Sequence, residues 1–243
     1  MSTPRVASAL VPVITEQGDD LDLTWWLYFW LSVGVVALIA GLMAYLVVRF
    51  RQRSDELPRQ KHYNIQMEIT YTVLPLLLVL ALTAVTFVTV EATERDADGD
   101  ELLVAVTAFQ WQWRFAYPEY GIEVTGGPQP DQVPELILPA GAEVTFELES
   151  LDVIHSFWVT VFRFKRDMIP GQTSRFTVDL TDDAAGWYPN AGVCAEFCGL
   201  DHARMRFGVR VLEPDEFEAW VAQRSEAAGS GEPAGEPVSE DAP

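Results

Sequence analysis

Two uncharged apolar runs constrain this chain more than anything else in it. Leu23 to Val48 is 26 residues without a charge, bounded by Asp22 and Arg49; Ile69 to Val90 is 22, bounded by Glu68 and Glu91. At about 1.5 Å per residue each run reaches roughly 33–39 Å as a helix, enough to cross a hydrocarbon core of about 30 Å. Two such helices inside a soluble core need a much larger protein around them, and 243 residues allow only one or two domains of ordinary size. Trp25, Trp26, Tyr28 and Trp30 crowd the start of the first run, where an interfacial aromatic belt belongs. The first run is too long for the apolar region of a cleaved signal, and residues 1–22 are too long and acidic for its basic leader. No cysteine precedes Cys194, so no lipoprotein anchor is expected. Both spans, about 23–48 and 69–90, are therefore expected to stay in the membrane as a hairpin.

The loops set the orientation. Before the first span one arginine stands against Glu16, Asp19, Asp20 and Asp22, whereas the connecting loop 49–68 carries Arg49, Arg51, Arg53, Arg59 and Lys61. Positive charge marks the cytoplasmic side. Both termini, the N-terminal segment 1–22 included, and the polar half of the chain are thus expected outside the cytoplasm.

Past an acidic linker, 91–100, the periodicity changes from helix to strand. Val144, Phe146 and Leu148 alternate with polar residues, as do Phe176, Val178 and Leu180, and again Met205, Phe207, Val209 and Val211. Gly126-Gly127-Pro128, Pro139-Ala140-Gly141, Pro170-Gly171 and Gly186 between them are turn material. Short strands at this spacing predict an all-β sandwich or small barrel over 91–224. Glu213-Pro214-Asp215 opens a closing helix with Phe217, Trp220 and Val221 on one face. Residues 225–243 are Ala, Gly, Pro, Ser and acid, with almost nothing to bury, and are expected to be a disordered tail. Of the net charge of −20, nearly all lies in residues 91–243, with 29 acidic and 10 basic side chains. Such a field repels nucleic acid and favours basic partners.

The chemistry concentrates in Cys194-Ala-Glu-Phe-Cys198-Gly-Leu-Asp-His202-Ala-Arg-Met205. Thiolate, imidazole and thioether are soft or borderline donors and together suit copper better than any hard cation. A cysteine, a histidine four later and a methionine three after that is the spacing of a copper loop in a β-sandwich. Cys194 is one thiolate too many for a mononuclear blue-copper site, and two thiolates on one loop can bridge two metal ions. His155, in Asp152-Val-Ile-His155-Ser-Phe-Trp158, supplies the second imidazole; His62, the remaining histidine, lies in the cytoplasmic loop. Three plainer readings compete: a Cys194–Cys198 disulfide, a structural zinc held by two cysteines and two histidines, or His155 as an ordinary core residue. Iron–sulfur and c-type haem lack their cysteine motifs here.

These segments resemble subunit II of haem–copper cytochrome c oxidases over about residues 20–220. Besides the loop and the His155 segment, the resemblance rests on Phe109-Gln110-Trp111-Gln112-Trp113, on Phe162-Arg-Phe-Lys165-Arg-Asp167-Met-Ile-Pro170-Gly171, and on Glu68-Ile-Thr-Tyr-Thr-Val-Leu-Pro75. It implies a two-helix transmembrane hairpin followed by an all-β cupredoxin-like (Greek-key sandwich) domain outside a bacterial plasma membrane. It implies a dinuclear copper (CuA) centre, two coppers per chain, with Cys194 and Cys198 bridging, His155 and His202 binding one copper each, and Met205 axial. Glu196 is implied to give its main-chain carbonyl to one copper and its side chain to a Mg²⁺ or Mn²⁺ ion at the boundary with subunit I. Trp111 is implied as the surface aromatic receiving the electron, with strand packing as its plainer role. Glu68 is implied at the cytoplasmic mouth of a proton path, with a helix-end carboxylate as its plainer role. The implied partners are oxidase subunits I and III, cytochrome c and membrane lipid, with O₂ reduced to water in subunit I and protons pumped. Gln112 and Phe109 stand where the family often has tyrosine and histidine, which bears on the donor surface rather than on the ligands. Two alternatives stand beside this reading: a membrane-tethered copper chaperone, and a quinol-oxidase-type subunit II, whose members lack the copper ligands. A nitrous-oxide reductase carries a similar copper domain on a large catalytic domain that this sequence does not contain.

Overall fold

The computed structural model describes residues 12–52, 61–93, 101–127 and 132–230. Arg53, Arg59, Pro128, the 94–100 part of the linker and the last thirteen residues of the expected tail lie outside them. The chain divides into two compact units: Asp20–Ala92, and Thr93–Pro243 together with the residues up to Asp19.

The first unit holds most of a helix pair, α1 (Glu16–Arg49) and α2 (Ile65–Thr93). Both are long and apolar enough to cross a membrane, and their most apolar stretches bury nothing within the protein. A helix that is apolar all round has no aqueous face, so lipid is the solvent that its surface fits. Polar side chains join the pair: Tyr28 Oη donates to the Leu82 carbonyl at 2.8 Å and meets Thr86 Oγ1 at 2.5 Å, and Thr24 meets Thr89 at 3.0 Å. Each helix starts before its apolar run because a capping residue stands there. Thr15 Oγ1 accepts the Gly18 N–H at 3.1 Å. Asn64 Oδ1 accepts the Met67 N–H at 3.3 Å, while Glu68 Oε1 accepts the Asn64 N–H at 3.3 Å. Glu68 therefore serves the first turn of α2, where a carboxylate also meets the positive end of the helix dipole.

The second unit is a sandwich of two five-stranded sheets. Its strands are β1 (Leu102–Phe109), β2 (Gln112–Tyr117), β3 (Ile122–Thr125), β4 (Glu135–Pro139), β5 (Glu143–Ser150), β6 (His155–Val159), β7 (Phe164–Met168), β8 (Ser174–Asp179), β9 (Gly186–Cys194) and β10 (Arg206–Leu212). One sheet runs β3-β2-β1-β5-β8 and the other β4-β10-β9-β6-β7. The β1–β5 and β10–β4 pairs are parallel and the rest antiparallel, a Greek-key, cupredoxin-like arrangement. Every apolar residue of the three alternating runs is buried, so the period-two pattern marks the inner faces. Gly186, expected in a turn, opens β9 instead. Trp113, Phe115, Phe146, Phe157 and Phe207 fill the space between the sheets, with Phe157 and Phe207 stacked at 5.1 Å.

Residues 12–19 also belong to this unit, which their composition did not announce. Ile14 is buried, its N–H donates to the Val161 carbonyl and its carbonyl accepts the Thr181 N–H. Gly18 is needed there, because a Cβ would stand 2.6 Å from Val13 Cγ1 and 3.0 Å from the Phe162 carbonyl. The closing helix α3 (Pro214–Ser230) starts on its proline, as expected, and buries Phe217. It continues past residue 225, where the tail was expected to begin, because Glu226-Ala227-Ala228 extends a helix readily.

Candidate metal centre

The donor residues converge at one end of the sandwich. His155 opens β6, Cys194 closes β9, and strand pairing places Phe157 opposite Cys194, so the two donors sit at the same end of neighbouring strands. The chain then forms a loop from Ala195 to Asp201, a 3₁₀ turn at His202–Arg204, and enters β10 just after Met205. The Cys194 N–H donates to the Met205 carbonyl at 3.0 Å, closing the loop at its base.

Inside the loop the distances are short. Cys194 Sγ lies 3.8 Å from Cys198 Sγ, 3.7 Å from His155 Nδ1 and 3.2 Å from the Glu196 carbonyl oxygen. Cys198 Sγ lies 3.6 Å from His202 Nδ1 and 3.7 Å from Met205 Sδ. Each thiol thus has its own imidazole. The donor atoms of His155, Cys194 and Cys198 all lie within 4.8 Å of one another. His155, Cys194, Cys198 and Met205 are buried, and the two cysteines are free thiols rather than a disulfide. A set of two thiols, two imidazoles and a thioether, buried except for the half-buried His202, matches soft, thiophilic copper rather than a hard cation.

The electrostatics favour a charged thiolate in one position. Burial raises the Cys194 thiol, but its hydrogen bonds with His155, Ser156 and Glu196 outweigh it and bring the group down to about 7. Burial and the neighbouring Cys194 push the Cys198 thiol up to about 12. Burial lowers His155, and its bonds to Cys194 and Asp152 overcome that and raise it.

Of the other residues singled out from the sequence, Trp111 stands against the loop, half-buried, its indole Nε1 donating to the Cys198 carbonyl at 3.0 Å. The Glu196 side chain is exposed. Glu68 lies in the first turn of α2, on the helix pair. Two residues carry contacts that the sequence reading did not assign. Asp152 Oδ1 accepts from His155 Nε2 at 2.8 Å, and Gln110 Nε2 donates to the Cys198 carbonyl at 2.7 Å. A carboxylate three residues before a metal-type histidine is a signal for the first, since such histidines bond a carboxylate through their other nitrogen. Nothing local announces the second.

The cytochrome c oxidase subunit II periplasmic-domain family matches residues 129–212. A probable cytochrome c oxidase subunit 2 of Streptomyces avermitilis is 33% identical over 260 aligned positions, covering 90% of this chain and 79% of that protein. The cytochrome c oxidase subunit 2 of Alkalihalophilus pseudofirmus is 35% identical, covering 81% of this chain and 58% of that one, so part of the latter has no counterpart here. Among solved structures, the periplasmic domain of subunit II of the Bradyrhizobium japonicum cytochrome oxidase is 30% identical, covers 54% of this chain and 96% of its own, and superposes with a TM-score of 0.46. Two apolar helices ahead of a domain of periplasmic type make this a membrane-anchored protein with an extracytoplasmic β domain. With a third of its residues shared over most of its length and a copper-type donor cluster closing its sandwich, the chain belongs to the cytochrome c oxidase subunit II family, whose members are subunits of haem–copper oxidases.

Proposed function

We propose that this chain takes electrons singly from a cytochrome c and delivers them to haem in oxidase subunit I, where O₂ is reduced to water with proton pumping. The observation that carries the reading is the pair of buried thiols 3.8 Å apart, each beside its own imidazole. Cys194 and Cys198 are the proposed bridging residues of a two-copper centre, with His155, His202, Met205 and the Glu196 carbonyl completing its donors. Bound copper would supply one-electron redox chemistry there. The protein holds the donors in a dry, hydrogen-bonded loop that is already arranged, which limits reorganisation.

Trp111 is the proposed receiving surface for the donor's electron, since its indole is partly exposed and bonded to the carbonyl of Cys198. The exposed Glu196 carboxylate is the proposed contribution to a Mg²⁺ or Mn²⁺ site shared with subunit I. Glu68, in the first turn of α2 beside the basic loop, is the proposed residue at the cytoplasmic mouth of a proton path. Subunits I and III are the proposed neighbours of the helix pair, in a bacterial plasma membrane with both termini outside.

The test is copper loading of the full chain in detergent. Two coppers per chain, and an electron paramagnetic resonance spectrum of one unpaired electron shared over both nuclei, are expected. One copper per chain, or a spectrum unchanged in Cys194→Ser, overturns the reading. A chaperone that merely stores copper would not show rapid reduction by a c-type cytochrome, which the same sample reports.

A further inference from the structure

We propose that Asp152 is a positioning residue that ties the ligand His155 and the surface Trp111 into one rigid unit; the inference rests on the two-copper reading and deepens it. The argument starts from donors and acceptors. An ionised carboxylate only accepts, so His155 Nε2, 2.8 Å from Asp152 Oδ1, must carry the ring proton. In the neutral ring, the form that binds a metal, the lone pair then sits on Nδ1, the atom that faces Cys194 Sγ at 3.7 Å. Asp152 thereby fixes which nitrogen of His155 is available to a metal.

The other oxygen of the same carboxylate is also engaged. Asp152 Oδ2 accepts the main-chain N–H of Gln110 at 2.7 Å, across 42 residues of sequence. The Val153 N–H donates to Oδ1 at 2.6 Å and holds the carboxylate in its own turn. From Gln110 the connection continues, because the Gln110 side-chain amide and the Trp111 indole both donate to the Cys198 carbonyl, at 2.7 and 3.0 Å. The following residue, Gly199, has φ of +120°, and a Cβ there would stand 3.1 Å from both Gln110 Nε2 and Trp111 Cζ2. The 110–111 turn is therefore clamped from two sides, by Asp152 through its main chain and by the cysteine loop through its side chains. Hydrogen bonds run from His155 through Asp152, Gln110 and Trp111 to Cys198, joining a proposed terminal ligand to a proposed bridging one outside the metal's own coordination. A displacement of the Asp152 carboxylate disturbs ligand and receiving surface together.

The experiment uses the full chain in detergent. In the unaltered protein the Gln110 amide, on an exposed turn, is expected to exchange its hydrogen far more slowly than an unstructured amide. Exchange at the unstructured rate overturns the clamp without any variant. Asp152→Asn keeps the size but places an N–H where the carboxylate accepted from His155. It is expected to release copper to a chelator about 10–100 times faster than the unaltered chain. Its visible and paramagnetic-resonance spectra are expected to shift, while the metal-free variant unfolds where the unaltered metal-free chain does. An Asp152→Asn chain with unaltered spectra and copper release overturns the proposal. Failure of the unaltered chain to take up two coppers would instead overturn the reading beneath it, so the two failures are distinguishable.

Discussion

Tyr117 joins the two sheets of the sandwich through a single oxygen. Its hydroxyl donates to the Ile137 carbonyl at 2.8 Å and accepts the Ile137 N–H at 2.9 Å, so a residue of β2 satisfies both polar main-chain groups of a residue in β4. The ring is fully buried, and burial holds the phenol well above its ordinary range, with the Ile137 bond and Arg224 only partly opposing it. The sign follows from linkage. An unfolded tyrosine loses its proton above about pH 10 while the folded one keeps it, so the stabilisation is intact below that pH and is lost as pH rises further. Urea unfolding of the full chain in detergent is expected to lose about 1.4 kcal/mol per pH unit from this group above pH 10. Tyr117→Phe is expected to cost about 1–3 kcal/mol at neutral pH, for two buried main-chain groups left without partners, and to flatten that alkaline decline. An equal alkaline slope in the variant would show that another group is responsible.

Helix α3 is held to the sandwich by an aromatic seam rather than by its own propensity. Trp220 meets the Tyr117 ring edge-on at 5.2 Å, and Phe217 meets Tyr120 at 6.2 Å. Its N-terminus follows the expected pattern, with Pro214 first and the Glu216 carboxylate accepting the Glu213 N–H at 3.3 Å. Trp220→Ala removes the larger half-buried ring and is expected to destabilise the domain by about 2–3 kcal/mol. Hydrogen exchange along 214–224 is expected to accelerate in that variant while copper stoichiometry stays at the unaltered value, because no donor residue lies on α3. Unchanged exchange would mean that α3 is anchored by something other than this seam.

At the scale of the molecule the charge is divided as sharply as the apolar residues are. The chain carries a net −20, and the part beyond the helices holds nearly all of it. Such a field raises the encounter rate with a basic protein, and salt screens it over roughly 8–10 Å at physiological strength. Reduction of the copper-loaded chain by a basic c-type cytochrome is expected to slow at least about tenfold between about 20 and 200 mM salt. A small uncharged reductant is expected to show no such dependence. A salt-independent rate with the basic cytochrome would place docking on apolar contacts such as the exposed Phe197 and Leu200.

Local chemistry determined a great deal here. Absence of charge over two long runs is enough to place a chain in lipid, and alternation of apolar residues is enough to mark the inner faces of β5, β8 and β10, because both patterns are read over a few neighbouring residues. The donor types of the cysteine loop are equally local, since Cys194 to Met205 is a single turn-rich segment. What the tertiary structure alone decided is pairing across long stretches of chain. The parallel β1–β5 match sets Leu102 beside Val144, residues 12–19 join the sandwich near Leu180 and Phe162, and β6 carries His155 to a cysteine 39 positions later. The tie from Asp152 to Gln110 and the two bonds onto the Cys198 carbonyl are of the same kind. No local pattern encodes them, because each is settled by which strand edges and loop ends meet once the aromatic core has closed, and the energy of that closure is shared among residues far apart in sequence.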